Sequence, residues 1–267
     1  MSIHFHKYQA TGNDFVVIDN RQSKKKFSTE EIKKICNRRF GVGADGLILI
    51  ETNDTSDFAM IYYNSDGSQS LCGNGCRAAV NFASHLRIIN GSTSFNAFDG
   101  EHRAVILPNG HIKLKMNDVT SVKKINDDLF INTGSPHLVR FVDNVNNLDV
   151  VTEGRQIRHD KQFHPDGTNA NFVELGPNNT ITVRTYERGV EDETLSCGTG
   201  VTAAALAASL KGFQSPVNVN VQGGSLSVEF VHQNGATLSD SKEPAPAFRE
   251  VFLVGPAKMV FEGDLEL

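Results

Sequence analysis

Two cysteines occupy equivalent positions in two similar stretches of the chain. Cys72 lies in "LCGNGCRAAVNFA" and Cys197 lies in "SCGTGVTAAALAA". In both stretches Cys-Gly-x-Gly leads directly into an apolar run that predicts a helix. The first N–H groups of a helix have no intrahelical partner and carry the positive end of its dipole, so they favour a thiolate and bind carboxylates. The spacing therefore predicts a thiol and an anion-binding backbone at each of two helix N-termini.

Such a pair suits proton transfer at a carbon atom. We expect the two helix starts to hold one substrate carboxylate, with its α-carbon flanked by sulfur on both faces. One thiolate can then remove the α-proton while the other thiol delivers a proton to the opposite face. Backbone donors aimed at the carboxylate would stabilise the charge that develops as the proton leaves. The two motifs predict inversion of the α-carbon of a carboxylate substrate by a two-base mechanism.

The chain also repeats itself at a spacing of about half its 267 residues. Three blocks recur in the same order, which indicates an internal duplication. The pairs are Thr11-Gly12 with Thr133-Gly134, "GADGLILIE" from Gly43 with "GTNANFVEL" from Gly167, and the two cysteine motifs.

The same pattern predicts the elements of each half. Short β-rich runs bounded by Gly, Asn and Asp predict strands, and Ser28 with Glu31 predicts a capped helix ending near Gly41. Asn109-Gly110 and Gly223-Gly224 predict hairpins. The run "VTAAALAASL" is apolar on most sides and should be surrounded by other elements. We predict an α+β fold of two pseudo-symmetric domains, each a curled, mostly antiparallel sheet around a central helix. The expected domains are 1–118, to which a C-terminal strand at about 262–267 can return, and 119–261.

Composition excludes several classes of protein. The net charge of −5 and the pI near 6.0 disfavour a nucleic-acid partner. The apolar runs fall well short of the roughly 20 residues of a membrane span, and the first residues do not resemble a secretory signal. Four cysteines in such a chain are best explained as reduced thiols, which predicts a cytoplasmic protein.

The motif series is similar to that of the diaminopimelate epimerases. It consists of "GNDFVVID", "FGVGADGLILI", "NSDGS", "LCGNGCR", "GSPH", "GTNANFVEL", "RTYERGV" and "ETLSCGTG". The resemblance implies interconversion of LL- and meso-diaminopimelate for lysine and peptidoglycan precursors, without pyridoxal phosphate or metal. It also implies a homodimer acting on a small molecule.

The resemblance further implies a role for particular residues. It makes Cys72 and Cys197 the acid/base pair, and His137 and Glu187 residues that adjust the cysteine pKa values. It assigns substrate contacts to Asn13, Asn64, Gly73, Asn74, Asn169, Glu187, Arg188, Gly198 and Thr199. The sequence departs from the family pattern at Ser135 and Gly46, and in the lengths of the two loops that precede the cysteines.

Other interpretations of these residues remain open. Cys36 and Cys76 are predicted to be packing residues. The alternative to an acid/base role for Cys72 is a zinc site formed by Cys72, Cys76, His159 and His164. The alternative to substrate binding by Arg188 is an ion pair with Glu187 or Glu191. The alternative to substrate binding by Asn64 is a role in a turn. The remaining histidines are predicted at the surface, namely His4, His6, His85, His102, His111 and His232.

Other functions are compatible with a cysteine pair. A proline or hydroxyproline racemase would share the scaffold, but "CGNG" and "ERGVEDETLSCGTG" differ from its usual motifs. A phenazine-type isomerase would lack the thiol pair. Cys72 and Cys197 could also form a redox-sensitive disulfide, or the chain could bind an amino acid without transforming it.

Overall fold

The structure is a computed structural model that describes residues 2–232 and 248–266. The chain forms two compact units. The first contains Met1–Leu114 together with Gly255–Leu267, and the second contains Lys115–Val254. The last strand of the chain thus belongs to the same unit as the first strand.

The described residues form seventeen strands and four α-helices, which are numbered here in chain order. The strands are β1 Ser2–Ala10, β2 Asn13–Asp19, β3 Gly46–Glu51, β4 Phe58–Asn64, β5 Ser92–Ala97, β6 Gly100–Ile106, β7 Ile112–Lys115, β8 Val122–Ile125, β9 Asp128–Asn132, β10 Pro136–Phe141, β11 Asn169–Leu175, β12 Thr180–Glu187, β13 Asp192–Thr194, β14 Val217–Val221, β15 Gly224–His232, β16 Phe248–Gly255 and β17 Lys258–Glu266. The helices are α1 Thr29–Cys36, α2 Gly73–His85, α3 Val150–Arg158 and α4 Gly198–Ser209.

In the first unit the strands pair in the order β17, β1, β2, β3, β4, β5, β6, β7. The β2–β3 and β4–β5 pairs are parallel, and the other pairs are antiparallel. Each parallel pair needs a crossover connection. Helix α1 lies in the first crossover and helix α2 lies in the second.

The second unit repeats this order of strand directions. Its strands pair as β8, β9, β10, β11, β12, β14, β15, β16, with β10–β11 and β12–β14 parallel and the other pairs antiparallel. Helices α3 and α4 occupy the two crossovers, and β13 adds a short pairing to β12. The duplication predicted from three short sequence blocks is therefore present in the strand pairing of both units.

The second crossover helix of each unit is enclosed by its sheet. Helix α4 has no charged side chain, and its residues from Val201 to Ala208 are all buried. It contacts strands β9, β10, β11, β12, β14 and β15. Helix α2 contacts β1, β2, β3, β4 and β17, and it is buried from Asn74 to Val80. A helix that is apolar on all sides gains most when strands surround it, as the sequence predicted.

The first crossover helices were less well predicted. The capping box of α1 is present, because Ser28 accepts from the Glu31 amide and Glu31 accepts from the Ser28 amide. The helix ends at Cys36, however, which is earlier than the predicted stop near Gly41. Helix α3 was not predicted. Its polar surface and its interior Gly154, which packs directly on the Tyr186 ring, weaken the helical pattern.

No helix within residues 2–232 and 248–266 is both long enough and apolar enough to cross a membrane.

Candidate active site

Cys72 is the N-cap residue of α2, as the first motif predicted. Its Sγ accepts a hydrogen bond from the Gly75 amide at 3.4 Å, which satisfies one of the N–H groups that a helix start leaves open. Among the described residues, a Cβ added at Gly73 would meet no atom within 4 Å apart from its chain neighbours and the backbone of its own helix. A carboxylate can therefore approach the first turn of α2 closely, as an anion site at a helix N-terminus requires.

A chain of amide hydrogen bonds leads from the Cys72 sulfur into the core. The thiol contacts Asn13 Oδ1 at 3.4 Å, and the same oxygen accepts from Asn74 Nδ2 at 3.3 Å. Asn13 in turn donates to Asp45 Oδ2 at 2.6 Å. Two residues predicted to contact substrate, Asn13 and Asn74, thus meet directly beside the predicted catalytic sulfur.

Arg77 lies behind this chain and was missed by the sequence analysis. Its Nη2 donates to Asn74 Oδ1 at 3.0 Å and to Thr11 Oγ1 at 3.2 Å. The side chain is fully buried, and burial lowers the pKa of Arg77 to about 10, which leaves it cationic near neutral pH. The Arg77 charge interacts with Cys72, and a nearby cation favours the thiolate form of a cysteine. The signal was available, because an arginine interrupts an otherwise apolar helical face in "CGNGCRAAV".

Asn64 is engaged in its own turn. Its Nδ2 lies 3.0 Å from Ser68 Oγ and 3.2 Å from Ser70 Oγ, and its backbone amide donates to the Ser68 carbonyl. This is the turn role that was the alternative to substrate contact. Gly46 is required for packing, because a Cβ there would lie 2.4 Å from the Tyr62 ring. Substrate contact by Asn64 stays a prediction.

Cys197 is the N-cap residue of α4, as the second motif predicted. Its Sγ lies 3.5 Å from Thr199 Oγ1, and the Thr199 carbonyl accepts from Thr133 Oγ1 at 2.9 Å. Thr133 belongs to the block that repeats Thr11, and Thr11 supports the other cysteine helix through Arg77. The repeated Thr-Gly blocks thus support the first turn of the cysteine helix in both units.

His137 lies beside the first turn of α4 as a neutral imidazole. A Cβ at Gly200 would lie 3.3 Å from His137 Cε1 and 3.4 Å from the Cys197 Cβ, so both residues flank Gly200. Burial, together with the nearby Arg188 charge, lowers the pKa of His137 to about 3. The imidazole is therefore uncharged at neutral pH.

Asn171 fixes the tautomer of that imidazole. Its Nδ2 donates to the Leu138 carbonyl at 3.0 Å, while its Oδ1 accepts from Thr185 at 3.0 Å. The amide orientation is thereby set, and the second Nδ2 proton points to His137 Nδ1 at 3.1 Å. Nδ1 must accept, so Nε2 holds the proton. This Nε2–H is buried and has no hydrogen-bond partner among the described residues.

Asn169 connects three further residues of the second unit. Its Nδ2 donates to Ser135 Oγ at 2.9 Å and to the Pro136 carbonyl at 2.8 Å, and its Oδ1 accepts from the Arg188 amide at 2.9 Å. Both amide protons are therefore used within the protein. The structure gives Asn169 and Ser135 a positioning role, and substrate contact by Asn169 stays a prediction.

The charged residues at the end of β12 and directly after it each have a different partner. Glu191 binds Arg158 at 2.9 Å and lies 3.7 Å from His159, which the zinc alternative had used as a ligand. The Arg188 guanidinium donates to the Asp166 carbonyl at 3.4 Å, and within residues 2–232 and 248–266 it forms no ion pair with a carboxylate. Glu187 accepts from Thr194 Oγ1 at 2.6 Å.

The other cysteines are packing residues, as predicted. Burial raises the pKa of Cys36 to about 11 and raises the pKa of Cys76 further, so both remain thiols at neutral pH. All four cysteines are free. The prediction that His6 lies at the surface was wrong, because its ring is buried against Phe82. Its neighbours in sequence are apolar or basic, and only the β1 pairing places its ring against α2.

The depressed pKa of His137 makes folding sensitive to acid. The unfolded imidazole takes up a proton below about pH 6.5, whereas the folded one does so only near pH 3. Stability from this group is fully present above pH 6.5 and is lost as the pH falls toward 3, by about 1.4 kcal/mol per pH unit.

We therefore expect His137→Gln to flatten the decline of the unfolding free energy between pH 6 and pH 4, as measured by urea denaturation at each pH. His159→Gln, at an exposed position, is the matched control and should leave the slope unchanged. Equal slopes for the wild type and His137→Gln would contradict this prediction.

Comparison with known proteins identifies the family and the fold. The sequence model of the diaminopimelate epimerases matches residues 5–124 and 129–245. The chain is 50% identical over 261 residues to a diaminopimelate epimerase of Flavobacterium psychrophilum, covering 96% of this chain and 98% of that one. It is 42% identical over 271 residues to a diaminopimelate epimerase of Chlorobaculum tepidum, covering 96% and 98%.

Among solved structures, a hydroxyproline epimerase from Agrobacterium vitis superposes with a TM-score of 0.71 at 14% identity, over 100% of this chain and 93% of that chain. That likeness concerns the fold alone, and together with the family match it confirms the predicted fold of two domains with curled sheets. The chain belongs to the diaminopimelate epimerase family.

Proposed function

We propose that this protein is an isomerase that interconverts LL- and meso-diaminopimelate by removing and returning a proton at one α-carbon. The observation that supports it most directly is the pair of cysteines that cap the enclosed helices of two units with the same strand pairing. Family membership supports the choice of substrate, because the relatives named above are diaminopimelate epimerases.

In the proposed mechanism Cys72 and Cys197 act on opposite faces of the same α-carbon. The sulfur that begins as thiolate takes the α-proton, and the electron pair moves into the adjacent carboxylate to form an enediolate-like species. The other thiol then donates its proton to the opposite face and becomes the thiolate. The sulfurs exchange roles for the reverse reaction, so protons and charge balance over one turnover.

Backbone donors supply the electrostatic stabilisation in this proposal. The first amides of α2, at Gly73 and Asn74, and those of α4, at Gly198 and Thr199, would bind the reacting carboxylate. Donors of this kind are worth about 2.7–4 kcal/mol each where charge develops in the transition state. Arg188 would bind the carboxylate of the distal amino-acid head bidentately, since among the described residues its guanidinium is held only by the Asp166 carbonyl.

The direct test follows stereochemistry and deuterium together. Reduced protein is incubated with LL-diaminopimelate in D₂O, and chiral chromatography and mass spectrometry are applied at early times. We expect meso product that contains one deuterium at the inverted carbon, while the remaining substrate stays unlabelled. Inversion should fall by about 10²–10⁴-fold in Cys72→Ala and in Cys197→Ala.

Each single variant retains one sulfur, which gives a sharper signature. One variant should exchange the α-proton of only the LL isomer, and the other that of only the meso isomer, without inversion in either case. Cys36→Ala, which removes a buried thiol of α1, is the matched control and should invert normally. Binding without exchange would instead indicate an amino-acid-binding module, and turnover of proline alone would indicate a racemase.

Arg77 is the positioning residue of this proposal. Arg77→Met removes the hydrogen bonds to Asn74 and Thr11 together with the buried positive charge. We expect kcat to fall by about 10- to 100-fold, as for the loss of one charged hydrogen bond. The acid limb of the kcat/KM profile should move to higher pH, because a thiolate base loses its cation. Arg77→Lys should retain the position of that limb.

Arg103→Met removes an exposed arginine and is the control for the two Arg77 variants. A lower kcat with an unmoved pH profile would show that Arg77 acts through folding alone, which a circular dichroism melt of each variant measures independently.

We also propose a homodimer, on the basis of strand β17. It pairs with β1 along one edge, and its side chains Met259, Val260 and Phe261 are 42%, 57% and 47% exposed. Apolar side chains on an outer strand favour pairing with a second copy.

Light scattering after gel filtration should give twice the chain mass of 29.2 kDa for the wild type. Val260→Lys should shift the protein to the single-chain mass. Val231→Lys, at a site of 55% exposure in the second unit, should not change the mass. A wild-type protein of single-chain mass would overturn the dimer proposal.

We infer a cytoplasmic location from the chemistry of the thiols. The proposed reaction needs Cys72 and Cys197 reduced, and the cytoplasm keeps thiols in that state.

A further inference from the structure

A second cluster of ligating side chains lies at the far end of α2. His4 and His6 are two residues apart on β1, so their side chains share one face of the sheet. The antiparallel register with β17 places Asp264 opposite His4 and Glu262 opposite His6. His6 packs on Phe82, near the C-terminal end of α2. The two ends of this helix are roughly 18 Å apart, and Cys72 lies at the other end. The cluster is therefore separate from the cysteine chemistry.

The ligand atoms already have the spacing of a metal site. His6 Nε2 lies 3.3 Å from Glu262 Oε2. Nitrogen and oxygen ligands bind tetrahedral zinc at about 2.0–2.2 Å, so two of them on one ion are about 3.3–3.5 Å apart. One ligand atom from each of His4, His6 and Glu262 lies within 4.8 Å of the others. Small side-chain rotations would bring all three onto one ion.

Asp264 orients one of the imidazoles. Its Oδ1 lies 3.2 Å from His4 Nδ1, so a proton on Nδ1 is held by the carboxylate and Nε2 presents a lone pair. A carboxylate that holds the second nitrogen of a metal-binding histidine is a regular feature of such sites, because it fixes the tautomer and raises the basicity of the ligand.

The site combines a rigid side with an open side. The His6 ring is buried and lies 4.7 Å from the Phe82 ring, whereas His4 and Glu262 side chains are about half exposed. An ion can enter from solvent, and water can complete the coordination. Two imidazoles with one carboxylate favour zinc, copper, nickel and cobalt over calcium or magnesium.

We propose that His4, His6 and Glu262 bind one divalent transition-metal ion of the zinc class, with Asp264 orienting His4. The ion would join the first strand of the chain to the last, across the β1–β17 pair that closes the first unit. An ion that binds the folded chain in preference to the unfolded one raises its stability. The site would act as a clamp between the two ends of the chain.

The test uses full-length protein treated with EDTA and exchanged into chelator-free buffer. Zinc chloride is titrated by calorimetry, cobalt chloride is followed by visible absorption, and Tm is recorded with and without zinc. We expect one ion per chain on this site and a higher Tm with zinc. Loss of a carboxylate that orients a ligand weakens metal binding about 10- to 100-fold, so Asp264→Asn should weaken zinc binding about tenfold. Loss of a ligand itself should cost more, so His4→Gln or Glu262→Gln should weaken zinc binding about 100-fold.

His102→Gln is the matched control, because His102 also pairs with a carboxylate, Asp99 at 2.6 Å, without a second imidazole beside it. It should bind zinc as the wild type does. His4 and Glu262 are both well exposed, so their variants are expected to fold. Unchanged affinity in His4→Gln or Glu262→Gln would overturn the proposal, as would a cobalt spectrum dominated by thiolate charge transfer, which would place the ion on a cysteine.

Discussion

The start of a buried helix is the constraint on which the rest of this structure depends. The first N–H groups of α2 and α4 have no intrahelical partners, while strands enclose the rest of both helices. A cysteine at each N-cap and the glycines beside it leave the groups available to a sulfur or to a carboxylate. The same geometry stabilises the fold when a ligand is bound and supplies the donors for chemistry.

The duplicated scaffold places a different set of polar side chains beside the first turn of each cysteine helix. In the first unit an amide chain from Asn13 through Asn74 ends on the buried cation of Arg77. In the second unit a neutral His137 is held by Asn171. The strand order is the same in both units, so the difference arises from a few side chains inside the sheets. Each set is internally bonded, which holds it in one geometry at low local dielectric.

The end of the chain completes the first unit. Strand β17 pairs with β1 through eight residue pairs, so the first and last strands are neighbours in one sheet. In the second unit β8 pairs with β9 at the equivalent place. The two units thus obtain their outer strand from different parts of the sequence, the first from the end of the chain and the second from the segment directly before β9.

Local patterns in the sequence determined the positions of the cysteines at two helix starts, the capping box of α1, the hairpins and the duplication. These features depend on periodicity, capping and turn chemistry over a few residues. Only the tertiary structure decided that Arg77 and His6 are buried and that Asn64 binds its own turn. It also decided that Asn169 donates both amide protons to Ser135 and Pro136. Those outcomes depend on strand pairings between residues far apart in the chain, because a side chain's partners are set by register and packing rather than by its neighbours in sequence.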